Sequence, residues 1–348
     1  MSDNSIIVAG SLSSEALERL QKVMRSSKAS NTLKAYKDDF EVFAAWCASE
    51  GQKPMPAEGT VLAAFLAWYA DTHKASSVAR RLAGILWCHK TAGFPGLGDH
   101  QAVKMAMEGI QRAHGTRPTR KVPIVGLTLQ RMLYSLAGVP APPLLKQRDR
   151  TLMLMGYSGA FRREALCALN VEDLTLHPDR LDVLIRKDKN DQTGKGRIIS
   201  AQRRPTSPDC AVHALTAWLA KTGIQAGPVF RSVTRHGAAS TDRLDSQTVA
   251  RVVKKAAVAA VFDPAGFSGH SLRAGHITEA ARQGARLDQI MRISGHKSAD
   301  MLLRYIRDAD PLSGTSAAKI WVNGPALATV TQDAELDALL DELDEDEL

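Results

Sequence analysis

The segment GHSLRAGHITEAARQGARLDQIMRISGHKSADMLLRYIRDAD runs from Gly269 to Asp310 and combines helical periodicity with side chains suited to phosphate chemistry. Its apolar spacing predicts a helix over 271–283. His270 and Arg273 are three residues apart, so they share a face in the first turn of that helix. A helix N-terminus and an arginine fork both bind phosphate oxygens, which makes this turn a candidate anion site.

The second half of the segment adds a histidine and a tyrosine. Its pattern predicts two short helices between 286 and 305. His296 follows Gly295 at a turn, and Tyr305 lies nine residues further on. A free tyrosine titrates near pH ~10, so it is a useful nucleophile only where cations stabilise its phenolate and the phosphate it attacks. Each residue alone is commonly structural, but their order and spacing together indicate phosphate chemistry.

The charge of the chain favours a polyanionic partner. The whole sequence carries a net charge of +8, from 45 basic and 37 acidic residues. Segment 333–348 holds nine acidic residues and no basic one, so leaving it out raises the net charge from +8 to +17. A globular body this basic is typical of proteins that bind nucleic acid, although charge also serves solubility.

The other composition features narrow the class of protein further. No apolar run approaches the roughly 20 residues that a membrane helix needs, and the first residues lack the pattern of a signal peptide. The four cysteines are far apart and form no CxxC pair, which favours reduced thiols over disulfides or a zinc site. We therefore expect a cytoplasmic protein that binds no metal and no cofactor and has no membrane partner.

The first predicted domain is entirely helical and spans 30–115, after a weakly ordered N-terminal arm at 1–29. In SNTLKAYKDDFEVFAAWC the apolar side chains share one helical face, and three later segments of this domain show similar helical patterns. Exposed basic residues are expected on its surface, and two of them are candidate DNA contacts: Arg80 and Arg81, beside Lys74 and Lys90.

A basic linker is predicted at 116–124. The stretch QRAHGTRPTRKVP contains glycine and two prolines, so helix should stop there. Its basic residues Arg117, Arg120 and Lys121 could contact a DNA backbone between the two domains. The alternative is a linker that is simply solvated.

The second predicted domain, at 125–325, is mainly α with one small antiparallel sheet. Helices fit 127–137 and 146–157, and AFRREALCALNVEDLTL reads as a helix and a turn. The strands RLDVLIRK and GKGRIISA bracket DKNDQTGKG as a hairpin with glycines at its turn. Further helices fit 209–222 and 245–260, before the segment that begins at Gly269.

The four residues His270, Arg273, His296 and Tyr305 resemble the catalytic pattern of the tyrosine recombinase (phage integrase) family. That pattern is H-x-x-R, then G-H or G-W about two dozen residues later, then tyrosine nine residues further on. The likeness covers roughly 125–310, and the helical domain resembles the family's core-binding domain by pattern. It implies a two-domain, Cre-like site-specific recombinase whose second domain is catalytic.

Two more catalytic residues follow from the resemblance. The stretch SGAFRREALCALNVEDL resembles the family's T-G-x-R-x-x-E, which places the first arginine at Arg162. RKDKNDQTGKG resembles the hairpin that often contains S-K-T-D, which places the family lysine at Lys189. Lys187 and Lys195 are its rivals in the same hairpin.

One position departs from the family pattern. The acidic residue expected three positions after the first arginine is replaced by Ala165, and Glu164 precedes it. One residue along a helix is a rotation of about 100°, so Glu164 cannot substitute without local adjustment. Arg163 is a rival for Arg162, although using it would break the register of the neighbouring leucines against the core.

The resemblance implies a complete reaction. Tyr305 would attack the scissile phosphate and form a 3′-phosphotyrosyl link, while Arg162, Arg273 and His296 bind the phosphate. His270 would take the tyrosine proton or bridge to the phosphate, and Lys189 would protonate the leaving 5′-oxygen. The alternatives are a type IB topoisomerase-like enzyme that relaxes DNA, or a DNA-binding relative with impaired catalysis.

The same resemblance implies the partners and the assembly. The two domains would clamp double-stranded DNA at an inverted-repeat site, as a homo-tetramer on DNA and a monomer or weak oligomer off it. The protein would then be associated with the nucleoid. In the acidic tail, 326–348, four leucines form a helical stripe: Leu336, Leu339, Leu340 and Leu343. This tail could dock on a neighbouring subunit, inhibit DNA binding in its own subunit, or be only solvated charge.

Overall fold

The computed structural model describes residues 28–115, 121–188, 191, 194–300, 302, 303 and 305, together with residues 13, 15, 18, 19 and 23. The chain divides into two compact units, Met1–Arg120 and Lys121–Leu348. The boundary between them falls inside the segment 116–124. The predicted fold class, mainly α with small antiparallel sheets, is confirmed.

The first unit is a bundle of helices around an aromatic core. Its helices are α1 (Ser30–Ser49), α2 (Gly59–Ala70), α3 (Ala75–Thr91) and α4 (Gln101–His114), with a 3₁₀ turn at Leu97–Asp99. Helix α1 packs on α3, and α2 packs on α4. Phe43 and Phe65 are fully buried, and their rings meet edge to face with centroids 5.0 Å apart. The burial of large aromatic rings dominates the energetics of such a core.

Helices of the second unit pack around one long buried helix, Pro143–Ser158. They are α5 (Gly126–Gly138), α6 (Pro143–Ser158), α7 (Arg163–Ala168), α8 (Ala211–Thr222), α9 (Gln247–Ala259), α10 (Ser271–Arg282) and α11 (Leu287–Ser294). Leu152, Met153, Leu154 and Met155 of α6 are all buried, because α8, α9 and α10 all pack against this helix. Leu302, Leu303 and Tyr305 are also helical.

Within the described residues the strands form two sheets, where the sequence predicted one. The first sheet is β1 (Leu174–Leu176), β2 (Arg180–Ile185) and β3 (Arg197–Gln202), antiparallel in that order. The pair Ile185↔Arg197 closes the β2–β3 hairpin end. The second sheet pairs β4 (Arg231–Val233) with β5 (Ala239–Arg243) and was missed, because these strands are short and partly polar. Strand β1 was likewise read as part of a turn.

The chain enters the second unit against the first turn of α10. The amide of Val122 donates to the Gly266 carbonyl at 2.8 Å, and that of Ile124 donates to Ser271 at 2.9 Å. Gly275 makes this approach possible, since a Cβ there would lie 1.8 Å from the Ile124 oxygen. The end of the predicted linker is therefore packed on the helix that carries Arg273.

Candidate active site

Arg273 projects from the first turn of α10 and is 3% exposed. Its Nη1 donates to the Ala160 carbonyl at 2.7 Å, and its Nη2 lies 3.1 Å from Nε2 of His296. Two hydrogen bonds thus hold the guanidinium from opposite elements, the turn after α6 and the loop after α11. Such fixed donors are what stabilisation of a developing negative charge requires.

His296 follows the glycine that ends α11. Gly295 has φ of 65°, and a Cβ there would lie 2.7 Å from Nε of Arg197, so glycine allows the close approach of that side chain. The Ser294 hydroxyl lies 2.8 Å from Nδ1 of His296. The His296 and Tyr305 rings have centroids 6.3 Å apart. The histidine and the tyrosine are therefore neighbours in space, although they are nine residues apart in the sequence.

Arg162 is the residue just before α7, and its side chain is nearly buried. Its Nη1 donates to Oδ2 of Asp188 at 2.7 Å. Arg163, the rival, points elsewhere: it bonds to Gln247 at 2.9 Å and to Glu164 at 2.7 Å. The geometry brings Arg162, and not Arg163, to the Asp188 carboxylate beside Arg273 and His296.

Asp188 and Arg197 belong to the same cluster, and sequence reasoning missed both. Nη2 of Arg197 lies 3.5 Å from Oδ2 of Asp188, and its Nη1 donates to the Ile293 carbonyl at 2.8 Å. Arg197 thereby ties strand β3 to the C-terminal end of α11. The only sequence signal was their place in a charged hairpin, which does not show what they contact.

The charges of the cluster shift the pKa values within it. Burial, with the charge of Arg162 next in size, lowers the pKa of Arg273 to about 9, while Tyr305 opposes the shift. That value leaves the guanidinium protonated at neutral pH. Burial and the neighbouring guanidiniums of Arg273, Arg162 and Arg197 lower the pKa of His296 to about 4. His296 is therefore a neutral imidazole at neutral pH and can act as both donor and acceptor.

His270 occupies the edge of the cluster. It precedes α10 directly and is exposed. Desolvation and the charges of Arg273, Arg162 and Arg163 lower its pKa, while Glu164 raises it. A mainly neutral imidazole at this edge is suited to accept a proton.

A cleft of about 290 Å³ opens next to these side chains, between the β2–β3 hairpin and the loop after α11. Asp188, Arg197 and His296 line it, and Lys195 and Lys297 contribute basic side chains. Lys189 lies outside the described residues. The rival Lys195 is thus placed in the cleft wall, and Lys187 is exposed.

The profile of the phage integrase family matches residues 134–311. An integrase/recombinase XerD homolog of Selenomonas ruminantium is 38% identical over 303 residues, or 86% of each chain. The protein belongs to the phage integrase family.

Solved structures of a site-specific recombinase and of an integrase share the fold. A XerH recombinase bound to palindromic difH substrate has a TM-score of 0.59 at 18% identity, over 89% of this chain and 85% of that one. A lambda integrase tetramer bound to a Holliday junction has a TM-score of 0.58 at 18% identity, over 84% of this chain and 77% of that one. At this level of identity the likeness concerns the fold.

The candidate DNA contacts of this integrase-family protein are held in different ways. Arg80 bonds to Asp39 through both of its terminal nitrogens, at 2.7 Å each. Arg81 was expected to be exposed, and this was wrong: its side chain is 12% exposed and stacks over the Tyr69 ring, 4.3 Å from the centroid. Lys121 donates to the Ala265 carbonyl at 2.6 Å and is exposed. Arg117 and Arg120 lie outside the described residues, as do most of the arm at 1–29 and all of the tail at 326–348.

The described residues of this integrase-family chain contain neither a candidate metal site nor a candidate membrane helix. No group of three or more His, Cys, Asp or Glu residues there is placed to hold a metal ion. None of its helices combines the length and apolar character that crossing a membrane requires.

Proposed function

We propose that this protein is a site-specific DNA recombinase that cuts and rejoins duplex DNA through a 3′-phosphotyrosyl intermediate. The observation that carries the proposal is the gathering of Arg162, Arg273 and neutral His296 beside Tyr305. Guanidiniums that are fixed before the reaction stabilise the extra charge of a five-coordinate phosphate without reorganisation.

The proposed first step is a transesterification. The Tyr305 oxygen forms a bond to phosphorus, the bond to the 5′-oxygen breaks, and the phenolic proton passes to His270. Lys189 gives a proton to the leaving 5′-oxygen. Arg162 and Arg273 each bind a non-bridging oxygen, and His296 donates a hydrogen bond to the phosphate. A 5′-hydroxyl from a second duplex then reverses the step and releases Tyr305, so neither ATP nor a metal ion is consumed.

We further propose that the protein acts as a homo-tetramer on a double-stranded site with inverted repeats and is a monomer or weak oligomer off DNA. The strand exchange needs two duplexes cut in concert, and the structurally similar lambda integrase is a tetramer on a Holliday junction. The leucine stripe of the acidic tail, 326–348, is the proposed contact between neighbouring subunits. A protein with such a substrate would reside in the cytoplasm at the nucleoid.

The decisive variant is Tyr305→Phe. The target would first be selected from fragments of the DNA that flanks the coding region, by binding to the purified full chain. A duplex with this site and a nick beside the cleavage position traps the covalent complex, because the short cleaved strand diffuses away. We expect wild type to form the adduct and Tyr305→Phe to form none, with site binding nearly unchanged, since only the nucleophilic oxygen is lost.

The matched control is Tyr134→Phe, which removes a hydroxyl from a highly exposed tyrosine of α5. This variant should trap DNA like wild type. Adduct formation by Tyr305→Phe at a normal rate would remove Tyr305 from the mechanism. Wild-type relaxation of supercoils without joining two sites would indicate a topoisomerase instead, and binding without any adduct would indicate a catalytically impaired relative.

A further inference from the structure

Among the described residues, the Asp188 carboxylate lies between arginines of the candidate active site. Asp188 is 5% exposed at its side chain, and its Oδ2 receives Nη1 of Arg162 at 2.7 Å and Nη2 of Arg197 at 3.5 Å. Arg162 is itself 10% exposed. A charge-assisted bond between two nearly buried groups fixes a side chain far better than one in water, because few solvent partners compete.

The backbone of Asp188 also takes part in a turn. Asp188 forms an isolated antiparallel bridge with Asp191, and the Asp191 carboxylate accepts bonds from the amides of Lys195 and Gly196, at 3.0 and 2.7 Å. These contacts close the base of the β2–β3 loop. Asp188 thus lies at the base of the loop, where its carboxylate accepts the bond from Arg162, and it directly precedes Lys189 in the sequence.

The usual candidate for this role within α7 is missing. Ala165, three residues after Arg162, is a buried apolar residue of the core. Glu164 is engaged by Arg163, whose Nη2 lies 2.7 Å from its carboxylate. Among the described residues, the acid that accepts a bond from Arg162 comes from the hairpin, which is 26 residues later in the chain.

We propose that Asp188 is the positioning residue of the active site, which holds the guanidinium of Arg162 in the orientation that binds the scissile phosphate. The proposal rests on the recombinase function proposed above. Asp188 does not touch the reacting atoms. It acts through Arg162, and it replaces in space the carboxylate that the sequence lacks at position 165.

The test uses the full-length protein and the nicked duplex that traps the covalent complex. Asp188→Ala removes the carboxylate, and Asp188→Asn keeps its shape but not its charge. The matched control is Asp182→Asn, because Asp182 also lies in the β2–β3 hairpin but pairs with Arg180 and Ser200. Three quantities are measured for each variant: the single-turnover rate of adduct formation, the dissociation constant for the site, and the melting temperature.

We expect Asp188→Ala to slow adduct formation on the order of 10- to 100-fold, the range found when a residue that orients a metal ligand is removed. Site binding should remain as tight as in wild type or become tighter, since Arg162 and Arg197 lose their internal anion. Asp188→Asn should be intermediate, and Asp182→Asn should cleave like wild type. A loss of both binding and melting temperature, without a separate loss of rate, would reduce Asp188 to a structural ion pair and overturn the proposal.

A double-mutant cycle identifies the group through which Asp188 acts. In the Arg162→Ala background, Asp188→Ala should cause little further loss of rate, because the side chain that it positions is already absent. If the two losses multiply, Asp188 does not act through Arg162 and the proposal is wrong.

A substrate with sulfur in place of the bridging 5′-oxygen separates Arg162 from Lys189. A thiolate leaves without protonation, so a defect that arises at Lys189 should disappear on this substrate. A defect that arises at Arg162 should persist, and persistence is the expected result. Its disappearance would assign Asp188 to the lysine instead. Failure of the wild type to form any adduct would overturn the proposed function itself, which distinguishes the two failures.

Discussion

Each unit of the protein contains an aspartate whose buried side chain contacts two arginines, and the two clusters differ in their surroundings. In the helical unit, Asp39 binds Arg80 with two bonds of 2.7 Å and lies 3.7 Å from Nε of Arg81. In the second unit, Asp188 binds Arg162 and Arg197. The first cluster joins α1 to α3, and the second joins α7 to the β2–β3 hairpin.

The difference between the clusters lies in their neighbours. Arg81 packs on an aromatic ring, and its Nε and Nη1 are buried without a hydrogen bond in the described structure. This cluster has two guanidiniums for one carboxylate, and it packs between helices of the first unit. The Asp188 cluster adjoins a third guanidinium, Arg273, together with His296 and Tyr305. Among the described residues, this places three guanidiniums around one carboxylate, next to a histidine and a tyrosine. The neighbours, and not the aspartate, therefore make the second cluster the one suited to bind a phosphate.

The largest expected effects come from breaking one cluster at a time. Arg273→Ala should slow adduct formation by a factor on the order of 10²–10³, the usual effect of removing one transition-state donor. Asp39→Ala should lower the free energy of unfolding by roughly 1–3 kcal/mol, because the half-exposed Arg80 loses its charge-assisted hydrogen bonds and the nearly buried Arg81 loses its counterion. Trapping rates on the nicked site and denaturant melts of both variants measure the two effects.

The two variants should differ in the property that they lose: Asp39→Ala loses stability, and Arg273→Ala loses cleavage. Once the DNA is bound, Asp39→Ala should cleave at the wild-type rate per folded molecule, and Arg273→Ala should bind the site almost normally. A cleavage defect in Asp39→Ala that remains under saturating, fully folded conditions would show that the helical cluster also contributes to chemistry.

The linker provides the next test, because Arg80 is already neutralised and the linker cations are the better candidates for backbone contact. Changing Arg117, Arg120 and Lys121 to glutamine should weaken binding about equally on all DNA sequences. The log–log dependence of affinity on salt should become shallower by roughly one unit for each phosphate that the linker no longer neutralises.

Arg80→Gln is the matched comparison for the linker change and should alter that slope less. Titrations of labelled duplexes at several salt concentrations measure both. An altered sequence preference with an unchanged slope would mean that the linker residues read bases.

The low pKa of His296, which adjoins the Asp188 cluster, makes the stability of the protein depend on pH. The unfolded chain has an ordinary histidine pKa near 6.5, and the folded pKa is about 4, so between these values the unfolded state binds more protons and stability falls with falling pH. The contribution of His296 to the free energy of unfolding is complete above pH ~6.5. Roughly 2 kcal/mol of this contribution should be lost at pH ~5.

His296→Asn should remove this part of the pH dependence. Denaturant unfolding at pH 7 and pH 5 measures it, and the drop in the variant should be smaller than in wild type. His276, whose pKa is also lowered to about 4, mainly by burial, remains in both proteins and supplies a common background. Equal drops in the two proteins would mean that burial and the neighbouring guanidiniums do not hold His296 neutral.

The helices could be predicted from the sequence because each has its own apolar period. The structure has α5 at Gly126–Gly138 against a predicted 127–137, and α6 at Pro143–Ser158 against 146–157. The resemblance to the family pattern also identified four candidate site residues: His270, Arg273, His296 and Tyr305. In contrast, the ion pair of Arg162 with Asp188 joins residues 26 positions apart, and no local pattern encodes which acid faces which arginine. Strands of three to five residues, such as β4 and β5, likewise carry too few side chains to show a period.

The smallest expected effect concerns the turn that supports the Asp188 cluster. Ala160 has φ of 47°, a conformation that favours glycine, and its carbonyl accepts the bond from Arg273. A non-glycine residue there costs about 1–2 kcal/mol, whereas glycine costs about 0.5–1 kcal/mol more entropy on folding. Ala160→Gly should therefore raise the free energy of unfolding by at most about 1.5 kcal/mol and leave the cleavage rate unchanged, because the carbonyl keeps its place. Denaturant melts and the trapping assay measure the two quantities. A lower cleavage rate with normal stability would show that the Ala160 backbone is held strained in order to aim its carbonyl at Arg273, which would add a second positioning element to the site.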